Sequence, residues 1–403
     1  MDRDTWGSQY EYGTKFNRFS VDSYSEVNDK QKKDGVCINS ILPDDVLERI
    51  VAYLPVASIF KAGCVCKRWN EIVISKRYLW NFSFISSPQQ PWYFMFTHSD
   101  EFSGYSYDPT LKKWYSIDLP CFVNSNWFIA SSFGLVCFMN NDSRNEFHVS
   151  NPITRCTVQL IEPSGPSFSH YTALAMSVNK KSHKYIISTV KSTQVPDNFF
   201  EWDISILVYS SATMSWTISL TEVLDGWRAG DESVICDGAL YFLLYSTRGA
   251  LYEHRHALIK YNLSNCSSQS LQMKDFIPAP CALTCGRLMN LNERLVMVGG
   301  IGKKNRCDII KGIGIWVLKG TKWEEVARMP HKYFQGFGEF DDVFASSGAG
   351  DIIYIQSYGS PALLLFDMSQ KQWKWSHRGP ATKKFCLQLF TGFCFEPRLE
   401  LSP

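Results

Sequence analysis

Three short stretches of the sequence carry residue types that could do chemistry, but each lacks the neighbours that the chemistry requires. The Gly-Gly-Ile-Gly stretch at 299–302 lacks the further glycine and the helix N-terminus of a phosphate-binding loop. The serine in the Gly-Tyr-Ser-Tyr-Asp stretch at 104–108 lacks the second glycine of a nucleophile elbow. The His-Arg-His stretch at 254–256 has Glu253 as its single acidic neighbour and no thiol ligand, which does not complete a metal-binding set. We therefore predict a turn at the glycines, an exposed loop at the histidines, and no catalytic or metal-binding residues.

Composition argues against several classes of function. The formal net charge of the 403 residues is only +2, which gives no global attraction to nucleic acid or to an anionic membrane. The opening Met-Asp-Arg-Asp-Thr-Trp has no apolar core and predicts no secretory signal, and the longest apolar run, 239–245, is too short to span a membrane. The 13 cysteines lack zinc-ligand spacing and predict reduced, mostly buried thiols. We expect no cofactor, and a location in the nucleus, the cytoplasm or both.

The hydrophobic pattern divides the chain into four segments. Residues 1–39 are polar, mixed in charge and aperiodic, which predicts a disordered N-terminal tail. Residues 40–80 have helical spacing, whereas residues 92–400 consist of short β-like runs separated by Gly, Asn, Asp, Ser and Pro. Residues 81–91 are the predicted linker between the two.

Residues 40–80 predict three short helices with an uncovered apolar surface. Pro43 marks the start of the first helix, Pro55 ends it, and Ser58 is placed to cap the second. Three helices in about 40 residues cannot bury all their apolar faces against one another, so a protein partner is implied. One apolar stripe at i, i+3, i+4 and i+7 is formed by Leu47, Ile50, Val51 and Leu54.

The motifs of this segment resemble the F-box in their order and spacing. The family pattern begins with Leu-Pro-x-Asp, continues through spaced Leu and Ile positions to Leu-Pro, and ends with Val-Cys-Lys-x-Trp. A generic three-helix cap on the next domain is the alternative. The resemblance implies a surface that docks on a Skp-type adaptor. The expected adaptor-binding residues are Leu42, Pro43, Leu47, Ile50, Leu54, Pro55, Val65, Cys66 and Trp69.

A degenerate repeat runs through the β-like segment. Its unit consists of an apolar pair, a polar turn and a Trp seven residues after the first aromatic. Complete copies occur at 107–114, 209–216, 316–323 and 366–373, and copies without the Trp occur at 149–156 and 261–268. The intervals of 42 to 60 residues are near the roughly 50 of kelch repeats. Another apolar run precedes each copy, so each unit supplies four antiparallel strands. Six such units predict a six-bladed β-propeller.

The first unit, which begins at Trp92, has only three strands before the next unit starts. Residues 385–395 have the alternation of a strand and are the natural donor of the missing one. This pairing would close the ring and leave no long edge exposed. An independent C-terminal hairpin is the alternative, although isolated hairpins are marginally stable.

From about residue 40 to the C-terminus, the chain resembles plant F-box/kelch-repeat proteins. The F-box and the stretches Tyr-Asp-Pro at 107–109, Asn-Pro-Ile-Thr at 151–154 and Gly-Ile-Trp-Val-Leu-Lys-Gly at 314–320 carry the resemblance. It implies an all-β six-bladed kelch-type β-propeller preceded by a small all-α, three-helix F-box module. It also implies a non-catalytic substrate-recognition subunit of an SCF ubiquitin ligase in plant development. A kelch scaffold without ubiquitin transfer and a propeller enzyme are the alternatives.

The partners implied by this resemblance are the Skp-type adaptor, through it the cullin and RING subunits, and an unidentified protein substrate. In a propeller, the inter-blade connections and the loops between second and third strands emerge on one rim. Aromatic and Arg residues recur there, and these types dominate binding hot spots, although the aromatics could instead fill gaps between blades. The predicted substrate-binding residues are Trp127, Trp202, Trp227, Arg228, Arg255, Arg306, Phe334 and Phe337.

Overall fold

The computed structural model describes residues 42–75, 89–97, 103–119, 127–142, 144–162, 169–248, 255–263, 271, 276–303, 306–336, 344–358, 360–377, 379 and 390–403. The predicted N-terminal tail, most of the predicted linker and the first part of the predicted closing strand lie outside these residues. The described chain comprises three N-terminal helices followed by six four-stranded antiparallel sheets, with one further helix between two of the sheets.

The N-terminal helices are α1 (Asp44–Ala52), α2 (Val56–Gly63) and α3 (Lys67–Ile74). Both α1 and α2 begin directly after a proline, whose fixed φ suits a helix start. The carbonyl of Pro55 accepts hydrogen bonds from the amides of Ser58 and Ile59 at 2.8 and 3.1 Å. Ser58 therefore lies inside α2, and the prediction that it caps this helix was wrong.

The three helices pack around a small apolar core, to which α1 contributes Leu47 and Val51 and α3 contributes Ile72. The guanidinium of Arg68 donates to the carboxylate of Asp44 (Nε to Oδ1 2.8 Å) and to the carbonyl of Leu42. This contact fixes α3 against the start of α1.

The part of the propeller that the structure describes contains 24 strands and one helix, α4 (His331–Gly336). The strands are β1 (Trp92–Thr97), β2 (Ser103–Asp108), β3 (Lys113–Asp118), β4 (Trp127–Ser132), β5 (Leu135–Asn140), β6 (Glu146–Ser150), β7 (Thr157–Ile161), β8 (Tyr171–Val178), β9 (Tyr185–Gln194), β10 (Glu201–Ser210), β11 (Ser215–Asp225), β12 (Trp227–Cys236), β13 (Ala239–Ser246), β14 (His256–Asn262), β15 (Ile277–Pro278), β16 (Leu283–Asn290), β17 (Leu295–Lys303), β18 (Arg306–Lys319), β19 (Lys322–Arg328), β20 (Phe344–Ala349), β21 (Ile352–Ser357), β22 (Leu363–Asp367), β23 (Gln372–Trp375) and β24 (Phe390–Phe395).

Each sheet forms one blade, and consecutive blades contact through their innermost strands, β24, β4, β8, β12, β16 and β20. Strand β24 pairs antiparallel with β1, from Trp92 opposite Phe395 to Thr97 opposite Phe390. The C-terminal strand is thus the innermost strand of the blade that contains the first three, and it contacts both β4 and β20. The fold is the six-bladed propeller that the repeat predicts.

The strands alternate in direction, so the loops divide between two faces. The inter-blade connections and the loops between second and third strands emerge on one face, which we call the rim. The turns between first and second and between third and fourth strands emerge on the other, the entry face. The chain reaches β1 on the entry face, because β1 is the second strand of its blade.

The helices and the propeller share one continuous hydrophobic cluster. Its buried members include Val56 and Ile72 from the helices, and Trp92, Phe138 and Leu399 from the first two blades and the C-terminal segment. Residues 396–403 cover part of the entry face. Their attachment there includes Asn151, whose Nδ2 donates to the carbonyls of Arg398 at 2.9 Å and Leu401 at 2.8 Å.

Candidate functional site

The helical module has two apolar stripes on α1 and the two residues that follow it. Leu47, Val51 and Leu54 lie at i, i+4 and i+7, and the first of these is only 2% exposed. The second stripe has the same spacing and faces solvent; it consists of Val46, Ile50 and Tyr53. Ile50 is 45% exposed, so its predicted place on the same face as Leu47 was wrong. A helix with apolar residues on both the core side and the solvent side indicates a binding surface.

The other predicted residues of this module differ in exposure. Val65, in the turn before α3, is 61% exposed. The structure places Pro43 at the surface, Pro55 and Cys66 half-buried, and Leu42, Leu54 and Trp69 half-buried against the core. Val46 and Tyr53 were missed because only one apolar stripe was counted, although their spacing was visible in the sequence.

At the rim, five side chains form a continuous row across the third and fourth blades, which we call the stacked row: Trp202, Tyr171, Arg228, Tyr245 and His256. The rings of Trp202 and Tyr171 are 5.7 Å apart. The guanidinium carbon of Arg228 lies 3.7 Å from the centroid of Tyr171 and 4.8 Å from that of Tyr245. The ring of Tyr245 meets that of His256 at 4.6 Å.

Strand register builds this row. Arg228 on β12 lies opposite Tyr245 on β13, which lies opposite His256 on β14. A Cβ atom on Gly230 would come within 2.1 Å of the Tyr245 ring, so only glycine leaves room for the ring at this position. The strands of one blade therefore hold Arg228 from one side, and Tyr171 of the neighbouring blade covers the other.

The electrostatics of the rim are dominated by arginine. Burial, together with the positive charges of Arg255 and Arg228, lowers the pKa of His256 to about 4. His256 is therefore neutral at physiological pH. Two other arginines are paired: Arg248 with the Asp225 carboxylate, and Arg287 with Glu232. Burial raises the pKa of Glu232 against the lowering effect of Arg287.

Comparisons with known proteins find matches for both the helical module and the propeller. The F-box-like family model matches residues 40–86, and the KIB1-4 β-propeller model matches residues 105–369. An F-box/kelch-repeat protein of Arabidopsis thaliana is 59% identical over 100% of both chains. The chain belongs to the F-box/kelch-repeat proteins.

Other relatives of this F-box/kelch-repeat protein are more distant. SKP1-interacting partner 15 of Arabidopsis thaliana is 25% identical over 90% of this chain and 98% of its own length. The protein UNUSUAL FLORAL ORGANS, from the same plant, is 22% identical over 89% of this chain and 85% of its own.

The rim residues predicted for the propeller have different environments in the structure. Arg228 is half-buried in the stacked row and Arg255 is exposed. Trp202 is only 7% exposed, because Tyr171 and His170 cover its ring, so it supports the row from below. Trp227 is half-buried, with its ring 5.6 Å from that of Phe276.

Of the remaining predicted rim residues, the structure describes the side chain of Phe334. Phe334 lies in α4, a helix that was not predicted, and packs onto the core of the fifth and sixth blades. Trp127 begins β4 and Arg306 begins β18, but their side chains lie outside the description, as does Phe337. Sequence reasoning missed Tyr171 and Tyr245 as rim residues, since neither lies in the repeat motif or in one of the loops that it predicted for the rim.

Two predictions about chemistry-bearing stretches were wrong in their local structure. His256 is buried as the first residue of β14, because it stacks on Tyr245, and so is not in an exposed loop. Gly299 and Gly300 lie within β17 and not in a turn. A Cβ on Gly300 would meet the Thr284 hydroxyl at 2.3 Å, so the glycine permits close approach of β16 and β17.

In the described parts of the F-box and propeller, no group of His, Cys, Asp and Glu side chains is arranged to hold a metal ion. No helix in the same residues has the length and apolarity needed to cross a membrane.

Proposed function

We propose that this F-box/kelch-repeat protein is the substrate-recognition subunit of an SCF-type ubiquitin ligase. Its F-box would bind a Skp-type adaptor, which connects it to the cullin and RING subunits, and its propeller rim would bind the protein substrate. The observation that carries the proposal is the solvent-facing apolar stripe of Val46, Ile50 and Tyr53, together with the exposed Val65 of the same module. The relative named SKP1-interacting partner 15 supports the identity of the adaptor.

The mechanism would be bridging, without bond-making by this chain. A substrate held on the rim would have its lysines at high effective concentration near the ubiquitin-charged enzyme, which accelerates transfer by proximity. The hydrophobic cluster shared by the helices and the first two blades supports a stiff link between the two binding surfaces. A stiff link keeps that effective concentration high, because the substrate samples fewer unproductive positions.

A scaffold role without ubiquitin transfer is the second candidate, and the F-box disfavours it. We also propose a place in plant developmental regulation and a location in the nucleus, the cytoplasm or both. Within the family, the motifs resemble those of the protein called Hawaiian Skirt. We therefore propose that this chain is most similar to that member of the family.

Co-elution of the purified full-length chain with a Skp-type adaptor in size-exclusion chromatography tests the adaptor interface. We expect a stable complex with the wild-type chain and none with the variant Ile50→Asp/Val65→Asp, because two charges would be buried in the interface. Ile161→Asp is the matched control, since Ile161 is 67% exposed but lies on the outer propeller strand β7. Loss of binding in the control, or retention in the double variant with unchanged thermal melting, would refute the assignment.

A further inference from the structure

We infer that the stacked row is the substrate subsite for an anionic peptide side chain, a carboxylate or a phosphate, with Arg228 as its main ligand. This inference rests on the proposed function, because it names the class of side chain that the rim selects. The rim is otherwise only a collection of loops whose residues could contact any protein surface.

The first supporting observation is that Arg228 is held in place without being neutralised. Its guanidinium stacks between Tyr171 and Tyr245 at 3.7 and 4.8 Å. Its Nη1 donates a hydrogen bond to the carbonyl of the next residue, Ala229, at 3.3 Å. Among the described residues, no carboxylate forms an ion pair with it. A planar guanidinium has five N–H donors, so most of its donor capacity is available to a ligand.

The neighbouring arginines show that pairing is the usual arrangement on this rim. Arg248 contacts the Asp225 carboxylate, and Arg287 contacts Glu232 and also donates to the carbonyl of Phe344 at 3.2 Å. These two side chains stabilise the propeller itself. Arg228 differs because aromatic faces, and not carboxylates, hold it. Such a site is pre-organised, since stacking limits the side-chain entropy lost when an anion binds.

The second observation is the convergence of positive charge on one side of the row. Arg255 and Arg228 both act on the imidazole of His256, whose pKa is lowered first by burial and then by these two positive charges. Asp231 and Glu232 are the nearby acids on β12, and Arg287 lies within 4.0 Å of both carboxylates. Arg228 has no ion-pair partner among the described carboxylates, and the planar geometry of its guanidinium matches the two oxygens of a carboxylate or phosphate.

Capture on immobilised peptide libraries tests the inference with the full-length chain. The probes are random nonapeptides whose central residue is fixed as Asp, phosphoserine, Ser or Lys. We expect retention on the Asp library, on the phosphoserine library or on both, and about tenfold weaker retention on the Ser and Lys libraries. Preference between the Asp and phosphoserine libraries identifies the anion. Equal retention on all four libraries would overturn the inference.

Variants separate recognition from structure. Arg228→Gln keeps a planar group between the tyrosines but removes the charge, and we expect it to abolish the acidic preference. Arg294→Gln is the matched control, because Arg294 pairs with Asp351 at 3.0 Å on the entry face. Undiminished acidic preference in Arg228→Gln, or an equal loss in both variants, would overturn the subsite. Adaptor co-elution of the same preparations reports on the proposed function independently, so the two ideas fail separately.

Discussion

The F-box surface and the propeller rim are both uncovered, but they are built by opposite means. The F-box surface is an apolar stripe on one helix and its C-terminal cap, set by the spacing of Val46, Ile50 and Tyr53. The stacked row joins residues from two blades that are up to 85 positions apart, from Tyr171 to His256. The first surface depends on local helix formation, whereas the second exists only when the ring has closed and neighbouring blades are in register.

The largest expected effect comes from opening the ring. Removing residues 390–403 deletes β24, whose Phe390, Phe393, Cys394 and Phe395 are buried, and exposes the edge of β1. Each buried aromatic contributes about 1.5–3 kcal/mol, so we expect no cooperative melting transition from the truncated propeller. Circular dichroism against temperature measures this, with removal of residues 397–403 as the milder control. A truncated chain that melts like the wild type would contradict ring closure by β24.

The next effect separates the two stripes of α1. Leu47→Ala should lower the free energy of unfolding of the F-box by about 2–5 kcal/mol, because it leaves a cavity in the core. Ile50→Ala, three positions further on the same helix, should change it by less than about 0.5 kcal/mol but weaken adaptor binding. Denaturant melts together with adaptor titrations measure both quantities. Equal destabilisation by the two changes would mean that the stripes have been assigned incorrectly.

A pH-dependent effect is specific to the rim. The pKa of His256 is about 4 in the fold, against 6.5 for an ordinary histidine, so the unfolded chain binds more protons between these values. Stability from this residue is complete above pH 6.5 and falls as pH decreases to about 4, by a total on the order of 3 kcal/mol. His256→Gln should lose this part of the acid sensitivity. Identical slopes of unfolding free energy against pH in both proteins would show that the pKa of His256 does not differ between the folded and unfolded chains.

The same contrast explains what could be predicted from the sequence. The F-box and the blades were found because their signals are local: a motif of linear spacing in the first, and an aromatic, a turn and a Trp in the second. The helix α4 was missed because it lies in an inter-blade connection, outside the repeat. The glycines of β17 were placed in a turn because close packing of neighbouring strands leaves no mark in the local pattern.

The stacked row could not be predicted from the sequence for the same reason. Arg228 was selected as a charged residue near the rim, but its partners were not, since Tyr171 and Tyr245 become its neighbours only through sheet register and blade packing. His256 was judged from its polar neighbours in sequence and not from Tyr245, which lies opposite it on the adjacent strand.

The central claim is that the two surfaces act in series on one set of substrates, and protein turnover measures this most directly. Plant cells in which the wild-type chain is replaced by Ile50→Asp/Val65→Asp or by Arg228→Gln would be compared by quantitative proteomics of protein half-lives. We predict that one common set of proteins is stabilised in both variants, because breaking either end of the bridge stops ubiquitin transfer to the same substrates. Two sets that do not overlap, or half-lives unchanged in the F-box variant, would contradict the account.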